Sequence, residues 1–238
     1  MLNSAAPSVQ PTPVIVTREA PLVAAVKQAF RDALDNRGAM SPRVYDVDGI
    51  CGRKFRLFLN NLVRGLEAPR YLEIGIYKGA TLCAAISENR LRAIGIDNWS
   101  EYGGPATEFY EIFARFKHQH AVVSILEQDF RSIDYGAIGK FNILFYDGSH
   151  AEVDQYDGVR VPVPAMDDQF ILLVDDWNWE RVQVGTRRAL ADQGLRIEFA
   201  IELLTSDTGD IPPLAYGGNS DWHNGFFAAV VSKPAGRS

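Results

Sequence analysis

Cysteine is scarce in this sequence, and long apolar runs are missing. Only two cysteines, Cys51 and Cys83, occur among 238 residues. That is too few for a disulfide framework, so we expect reduced thiols in a cytoplasmic protein. No apolar stretch approaches the roughly 20 residues that span a bilayer, and the first residues lack the basic start and apolar block of a signal peptide. These absences argue against a membrane-spanning or a disulfide-stapled secreted protein.

Basic residues are fewer than acidic residues in this sequence. The chain carries 24 basic and 30 acidic residues, a formal net charge of −6 at neutral pH. Proteins that bind nucleic acid show a basic stripe, and anionic membranes attract basic segments, so we expect neither as a partner. The length suits one or two domains and allows a large buried core.

The first 69 residues differ in pattern from the rest of the chain. Residues 1–18 contain several prolines and small polar residues and are interpreted as a mobile tail. Apolar residues at helical spacing predict two amphipathic helices, over about 21–36 and 53–66. Residues 19–69 therefore form a helical extension, which we interpret as a lid or as a contact between two copies of the chain.

Short apolar runs follow from residue 70 onward, and they predict strands. The runs are 71–74, 93–96, 122–126, 142–146, 171–174, 197–204 and 226–231. Helix-compatible segments separate the first five, which indicates an α/β fold with a doubly wound, mainly parallel sheet. The last two runs flank a long loop, 205–224, and predict a strand pair at one edge. Ligands of such sheets bind beyond the carboxyl ends of the strands.

A glycine-containing turn follows the first predicted strand. Gly75 and Gly79 allow a tight turn and a close backbone approach to a ligand, and the following helix offers unpaired N–H groups. A nicotinamide-binding fingerprint would need glycine at positions 77 and 80, where this sequence has Tyr77 and Ala80. The turn therefore argues against a nicotinamide oxidoreductase.

An acidic residue ends the second predicted strand at the distance of one strand–helix unit from Glu73. Asp97, followed by Asn98, is placed to accept the ribose hydroxyls of an adenosine. The alternative is that Asp97 caps a helix or lies in a solvated loop.

The pattern E-x-G-x-x-x-G at Glu73–Gly79 resembles the first motif of class I S-adenosylmethionine (SAM)-dependent methyltransferases. The resemblance implies a Rossmann-like sheet of seven strands, the last of them antiparallel, in a domain over 70–238. It also implies that SAM is the cofactor and that the extension covers the cofactor or the substrate. The implied SAM-binding residues are Glu73, Gly75, Tyr77, Gly79, Asp97, Asn98, Asp129 and Phe130. Asp129 would meet the adenine amino group and Phe130 the ring, although Asp129 could equally cap the following turn.

Carboxylates end two further predicted strands. Asp147 follows the fourth strand, and Asp175 and Asp176 follow the fifth. Adjacent parallel strands would bring these carboxylates together, where they repel each other unless a cation lies between them. Oxygen ligands of this kind suit Mg²⁺ or Mn²⁺. The alternative is that these aspartates cap the helices that follow.

This arrangement is similar to that of the metal-dependent small-molecule O-methyltransferases, which include catechol, caffeoyl-CoA and bacterial antibiotic-sugar methyltransferases. The resemblance implies that Asp147, Asp175 and Asp176 ligate Mg²⁺ and that a small molecule with a vicinal diol, sugar or catechol-like group accepts the methyl group. His150 is a candidate general base together with Asp147, or it orients a carboxylate. His223 has no comparable context and is expected to be structural or solvated.

Aromatic and basic residues supply further candidates. The aromatic residues expected at the same edge are Trp99, Tyr102, Trp177, Trp179 and Trp222, either as pocket walls or as packing. Arg53, Lys54 and Arg56 on the second helix either reach the SAM carboxylate or form a solvated basic face.

Two other functions fit the same predicted fold. One is a cephalosporin-hydroxylase-like enzyme, although no iron triad of two histidines and a carboxylate is recognisable in the sequence. The other is a non-catalytic SAM-binding domain. Fold alone does not decide between them, because one fold hosts many functions.

Overall fold

The computed structural model describes residues 19–116, 120–209 and 220–235, and the predicted mobile tail at 1–18 lies outside them. The described residues form one seven-stranded sheet with the strand order β3-β2-β1-β4-β5-β7-β6. The strands are β1 (Arg70–Ile74), β2 (Leu91–Ile96), β3 (Ala121–Leu126), β4 (Phe141–Tyr146), β5 (Met166–Asp175), β6 (Arg196–Leu203) and β7 (Phe226–Ser232). Each coincides with a predicted apolar run.

The last strand is antiparallel to both of its neighbours, as predicted. β7 pairs with β5 on one side and with β6 on the other, and the pairs among β1 to β5 are parallel. The predicted strand pair thus lies at one end of the sheet, with β7 inside it and β6 at the edge. Because Phe226 pairs with Asp175, the residues just before β7 lie at the carboxyl end of β5.

Helices cover both faces of the sheet and explain why the central strands are largely apolar. The helices are α1 (Pro21–Leu34), α2 (Arg53–Arg64), α3 (Ala80–Ile86), α4 (Ala106–Phe116), α5 (Glu152–Arg160) and α6 (Glu180–Asp192). One core lies between the sheet and the helices α1 to α4, and the other between the sheet and α5 and α6. Strands buried on both faces need continuous apolar runs. None of the described helices is both long and apolar enough to cross a bilayer.

The helical extension is built into the domain. The ring of Phe55 on α2 packs at 5.5 Å from Phe145 of β4 and 5.2 Å from Phe226 of β7. The first N–H groups of α2 donate to backbone carbonyls near β7: Arg53 to Ser220 at 2.7 Å, and Lys54 to Asp221 at 2.8 Å. The start of α2 is therefore fixed by residues that lie far later in the chain.

Candidate active site

An open cleft of about 250 Å³ lies over the carboxyl ends of the central strands. Most of the predicted SAM-binding residues line it: Gly75, Tyr77, Asp97, Asn98, Asp129 and Phe130, together with Asp147. Glu73 and Gly79 are not among its lining residues. We call this space the large cleft.

Gly75 allows the ends of two strands to touch. Its φ is +91°, and a Cβ atom added there would lie 2.0 Å from the carbonyl oxygen of Asp147. Its N–H also donates to the carbonyl of Ile96 at 2.9 Å. A side chain at this position would clash with backbone in a conformation that favours glycine, so this glycine brings the floor of the cleft next to Asp147.

The carboxylate of Asp97 braces the turns after β1 and β2. One oxygen accepts the N–H groups of Ile76 at 2.8 Å and Tyr77 at 2.9 Å, and the other accepts the N–H of Trp99 at 2.7 Å. Tyr77 and Trp99 both have positive φ values, 52° and 47°. Asp97 thus stabilises two backbone conformations that cost energy in residues other than glycine.

Asp129 and Phe130, which follow β3, and Asn98, which follows Asp97, also line the large cleft. Asp129 accepts the N–H of Arg131 at 2.8 Å and so caps a short helical turn, the alternative that the sequence left open, while its side chain still lines the cleft. The Phe130 ring lies beneath the guanidinium of Arg131, 4.5 Å away. Asn98 accepts the N–H and hydroxyl of Ser100.

Glu73 lies beneath the cleft and is fully buried. Its carboxylate accepts the hydroxyl groups of Tyr71 and Thr81, each at 2.6 Å. Burial raises the pKa of Glu73 to about 7, although these two hydrogen bonds act to lower it. The structure therefore places Glu73 as an internal anchor for β1 and α3, not on the surface of the cleft.

The raised pKa of Glu73 predicts a pH-dependent stability. Between its ordinary pKa of 4.5 and about 7, the native state binds the proton that the unfolded chain releases, so the unfolding free energy falls as the pH rises. From pH 5 to pH 8 we expect Glu73 to account for a loss of about 2 to 3 kcal/mol. Urea unfolding at pH 5 and pH 8 gives the loss of unfolding free energy for the wild type and for Glu73→Gln. The difference between the two losses is the contribution of Glu73. An equal loss in both proteins would contradict the prediction.

A cluster of ionisable groups lies where β4 and β5 end. Asp147, His150 and Asp176 bring one ligand atom each within 4.8 Å of one another. The His150 Nε2 donates to Asp176 Oδ2 at 2.8 Å. Asp175, the third predicted metal ligand, is buried beside this group and is not part of it.

The carboxylates of the cluster differ in their electrostatics. Burial, and then the negative charges of Asp175 and Asp176, raise the pKa of Asp147 well above its usual range. Burial and the charge of Asp176 likewise raise the pKa of Asp175. Burial also acts to raise the pKa of Asp176, but the hydrogen bonds from His150 and Asn224 hold it below its ordinary value. Asp176 is thus the carboxylate that the fold keeps charged.

Two residues that the sequence analysis did not select complete the surroundings of Asp176. Asn224 donates its side-chain amide to Asp176 Oδ1 at 2.8 Å. The Nε2 of His223 lies 4.0 Å from the same oxygen. Both side chains are buried, so His223 is not solvated, and the sequence analysis gave no indication that it lies next to Asp176. The pairing of β7 with β5 brings residues 223 and 224 to the end of β5, and the sequence pattern predicted a strand pair at one edge without specifying this pairing.

His150 lies behind Asp176 and does not line the large cleft. Its ring packs edge-on against Trp179, with the centroids 5.0 Å apart. Its Nδ1 and the Oδ1 of Asn224 are buried and have no hydrogen-bond partner among the described residues. His150 therefore contacts the site through Asp176.

The aromatic and basic candidates divide between the site and the core. Trp99 and Tyr102 line the large cleft, whereas Trp177 is fully buried and stacks on Phe227. The prediction for Arg56 was wrong on both alternatives. Its side chain is buried, because the segment before α2 folds over it.

A smaller space adjoins the large cleft, and we call it the small pocket. It measures about 60 Å³ and is lined by Gly49, Ile50, Cys51, Ile76, Tyr77, Ala80, Thr81, Tyr102, Asp147 and Asp176. Tyr77, Tyr102 and Asp147 line both spaces. Asp147 is therefore the carboxylate at the junction between the large cleft and the small pocket.

Comparisons with known proteins are consistent with this arrangement. Residues 72–177 match the model of a family described as a methyltransferase domain. No curated protein sequence matches the chain significantly. The matched segment contains Gly75, Asp97, Asp147 and Asp176.

Solved structures with similar folds have low sequence identity to this chain. The cofactor-bound Rv0187 from MTB is 18% identical, with a TM-score of 0.53 over 92% of this chain and 94% of that one. A putative methyltransferase from Thermoplasma acidophilum is 13% identical, with a TM-score of 0.50 over 71% and 70%. An O-methyltransferase from Bacillus cereus in complex with SAH is 18% identical, with a TM-score of 0.49 over 92% and 94%. The first two of these similarities show a shared fold.

Proposed function

We propose that the protein is a SAM-dependent methyltransferase that methylates a hydroxyl group of a small molecule, a proposal supported by the match of residues 72–177 to a methyltransferase-domain model. The acceptor belongs to the class of vicinal diols, sugars and catechol-like compounds. The observation that carries the proposal is the position of Asp147, at the junction of a cleft built for a nucleotide-like ligand and a second, smaller space.

SAM would lie in the large cleft. Asp97, held by three backbone N–H groups, has a fixed carboxylate that can accept the ribose hydroxyls, as acidic residues at this place in α/β sheets do. Asp129 and Phe130 line the part of the cleft that would receive the adenine. Gly75 and Tyr77 would form the floor beneath the donor.

Methyl transfer is an in-line displacement at carbon. A lone pair of the acceptor oxygen forms a bond to the methyl carbon, the carbon–sulfur bond breaks with its electrons moving to sulfur, and S-adenosylhomocysteine (SAH) leaves. Positioning of the two reactants contributes up to about 7–11 kcal/mol in ideal cases. Asp147 lies at the junction and is placed to take the hydroxyl proton. His150 would act as a positioning residue, because it reaches the junction only through Asp176.

The donor set at the junction fits a divalent cation. Two carboxylates and an imidazole converge, and the carboxylates repel one another. The oxygen of the buried Asn224 amide has no hydrogen-bond partner within the described part of the chain. We propose that Asp147 and Asp176 would hold Mg²⁺ or Mn²⁺, while His150 would orient Asp176 through their hydrogen bond. When bound, the cation would lower the pKa of the acceptor hydroxyl and orient two adjacent oxygens.

Calorimetry with SAM and SAH, each with and without Mg²⁺ or Mn²⁺, tests the proposal. We expect both nucleosides to bind, and a ligand at about 100 times its Kd to stabilise the fold by about 2.7 kcal/mol. In a thermal scan this should raise the Tm by roughly 5–10 °C. NAD serves as the control and should cause no shift. Absence of binding by both SAM and SAH would refute the proposal, whereas binding without any response to the cations would remove only the metal.

A hydroxylase on the same fold is the second candidate. His150 and His223 both approach Asp176, and two histidines with one carboxylate are the ligand types of non-haem iron oxygenases. Among the described residues, however, the compact group is formed by Asp147, His150 and Asp176. Turnover that consumes oxygen and requires ferrous iron would favour this candidate over methyl transfer.

A further inference from the structure

We infer that Asn178 and Thr205 are positioning residues for the proposed reaction: they hold Asn224 against Asp176 and thereby set the affinity of the site for its cation. The inference rests on the proposed cation at Asp147 and Asp176, and it goes further by naming residues outside the ligand set. Three observations carry it: the register of three strands, the hydrogen bonds that join their ends, and the close packing around those bonds.

The carboxyl ends of β5 and β6 lie beside the start of β7. Phe226, the first residue of β7, pairs with Asp175 on one side and with Leu203 on the other. The residues that follow β5 and β6 therefore meet the residues that precede β7. Asp176 belongs to the first of these three segments and Asn224 to the last.

Hydrogen bonds among Asp176, Asn178, Thr205, His223 and Asn224 join the three segments, and we call this network the clasp. The side-chain amide of Asn178 donates to Thr205 Oγ1 at 2.9 Å, and its Oδ1 accepts the N–H of Thr205, also at 2.9 Å. The Thr205 hydroxyl donates in turn to the carbonyl of His223 at 2.8 Å. The N–H of Asn178 donates to the carbonyl of Asn224 at 3.0 Å, and Asn224 Nδ2 donates to Asp176 Oδ1 at 2.8 Å.

The Thr205 hydroxyl is the link between the segment after β6 and the segment before β7. A hydroxyl has one hydrogen to donate and two lone pairs that accept, and this one donates to His223 while it accepts from Asn178. Asn178 and Asn224 are both buried. Hydrogen bonds inside a protein are electrostatically stronger than hydrogen bonds in water, so the loss of this single hydroxyl would break two connections of the clasp.

Close packing around Gly225 leaves the clasp little room to shift. The φ of Gly225 is +74°, and a Cβ atom added there would lie 2.3 Å from the carbonyl oxygen of Leu203 and 3.1 Å from Asn178 Oδ1. His223 also has a positive φ, 50°, which costs energy in a residue other than glycine. The clasp thus stabilises a strained turn, and this turn presents the Asn224 amide to Asp176.

The position of Asn224 matters because it fixes one of the two oxygens of Asp176. Asn224 donates to Oδ1 and His150 donates to Oδ2, each at 2.8 Å, and the Asp176 carboxylate lies next to Asp147. Replacing a residue that orients a metal ligand typically weakens metal binding by about 10–100-fold. Since the clasp holds Asn224, its loss should pass part of this effect to Asp176.

Substitutions at Thr205 test the clasp, because valine keeps the branched shape of threonine and lacks its hydroxyl. Binding of Mn²⁺ alone is measured by the electron paramagnetic resonance signal of the free ion. We expect Thr205→Val to weaken Mn²⁺ binding by about tenfold and Asn224→Ala by up to about 100-fold. Thr205→Ser offers the same donor and acceptor, so its Kd for Mn²⁺ should stay within about threefold of the wild-type value.

Thr186→Val is the matched control, because it removes a buried threonine hydroxyl that lies outside the clasp. Thr186 Oγ1 accepts the side-chain amide of Gln155 at 3.1 Å, where α5 and α6 pack together. This variant should bind Mn²⁺ like the wild type. Calorimetry with SAH accompanies each titration, and an unchanged Kd for SAH shows that the large cleft of the variant is folded.

The outcomes separate this inference from the proposed function. Wild-type Mn²⁺ affinity in Thr205→Val would overturn the inference and leave the proposed cation site standing. A loss of affinity that Thr205→Ser shows equally, or that Thr186→Val shares, would also overturn it, because the cause would then be a general loosening of the fold. A wild-type protein that binds SAH and no Mn²⁺ would remove the cation and this inference and leave the methyl donor. Failure of the wild type to bind SAH would refute the proposed function, while the Mn²⁺ affinities would still decide for or against the clasp.

Discussion

Replacing Asp97 by alanine should weaken SAH binding by at least about 100-fold. The change removes the acceptor of three backbone N–H groups and the proposed acceptor of the ribose hydroxyls. Hydrogen bonds to charged groups contribute about 1.5–3 kcal/mol each, and about 1.4 kcal/mol corresponds to tenfold in Kd. Loss of two such contributions suffices for the expected effect. Calorimetry with SAH measures it.

Two further variants make this experiment specific. Asp97→Asn keeps the shape and an acceptor oxygen, so its Kd should fall between those of the wild type and Asp97→Ala. Asp168→Ala removes an exposed carboxylate near the start of β5, at the end of the strand that lies opposite the cleft. This variant should bind SAH like the wild type. A folded Asp97→Ala protein with an unchanged Kd would show that Asp97 only shapes the turns and does not contact the donor.

Asp147→Asn should lower methyl transfer by about a thousandfold and change the Kd of SAH by less than about threefold. Removal of a proton acceptor in the transition state costs about 10²–10⁴ in rate, and the amide is also a poor cation ligand. The contact of Gly75 with residue 147 is made to its backbone carbonyl, so the floor of the large cleft stays intact. Formation of SAH from SAM and 3,4-dihydroxybenzyl alcohol, followed by mass spectrometry, provides the rate.

Glu152→Gln is the matched control, because Glu152 is an exposed acid in the first turn of α5 and lines neither space. Its rate should equal that of the wild type. More than a tenth of the wild-type rate in Asp147→Asn would reject Asp147 as the reacting carboxylate. A parallel loss of SAH binding would instead place Asp147 in donor binding.

The central strands of the sheet were predictable from the sequence because they are buried on both faces. Apolar runs such as 142–146 and 171–174 have the length of strands, and the helical segments between them require parallel connections. The two helices of the extension were predictable because their buried apolar residues recur at helical spacing. Glycine at 75 marked the turn that lets two strand ends meet, and the structure confirms this in the contact with Asp147.

The composition of the acidic cluster was not predictable in full. Asp175 continues β5 and is buried, whereas Asp176 has a left-handed backbone with φ of 57° that turns its side chain toward His150. No pattern in the sequence announces a positive φ at an aspartate. Asn224 and His223 reach Asp176 only because β7 lies between β5 and β6. The order of strands in the sheet depends on tertiary packing, and no local sequence pattern specifies it.

The burial of Arg56 on α2 was likewise not predictable from a sequence pattern. Basic residues at the start of an amphipathic helix are typical of a solvated face, and Arg53 is indeed exposed. The carbonyls that surround Arg56 come from residues 44–51, a segment without regular periodicity. Its path over the helix is set by packing that a one-dimensional pattern does not contain.

The hydrogen bonds from the start of α2 to Ser220 and Asp221 have a consequence for how the protein is made. Chains emerge from the ribosome N-terminus first, at about 5–20 residues per second. The first turn of α2 therefore lacks these partners until residues 220 and 221 have been synthesised. A nascent chain halted before residue 220 would contain the strands β1 to β6 and most of the residues of the large cleft, but the start of α2 would not yet be anchored.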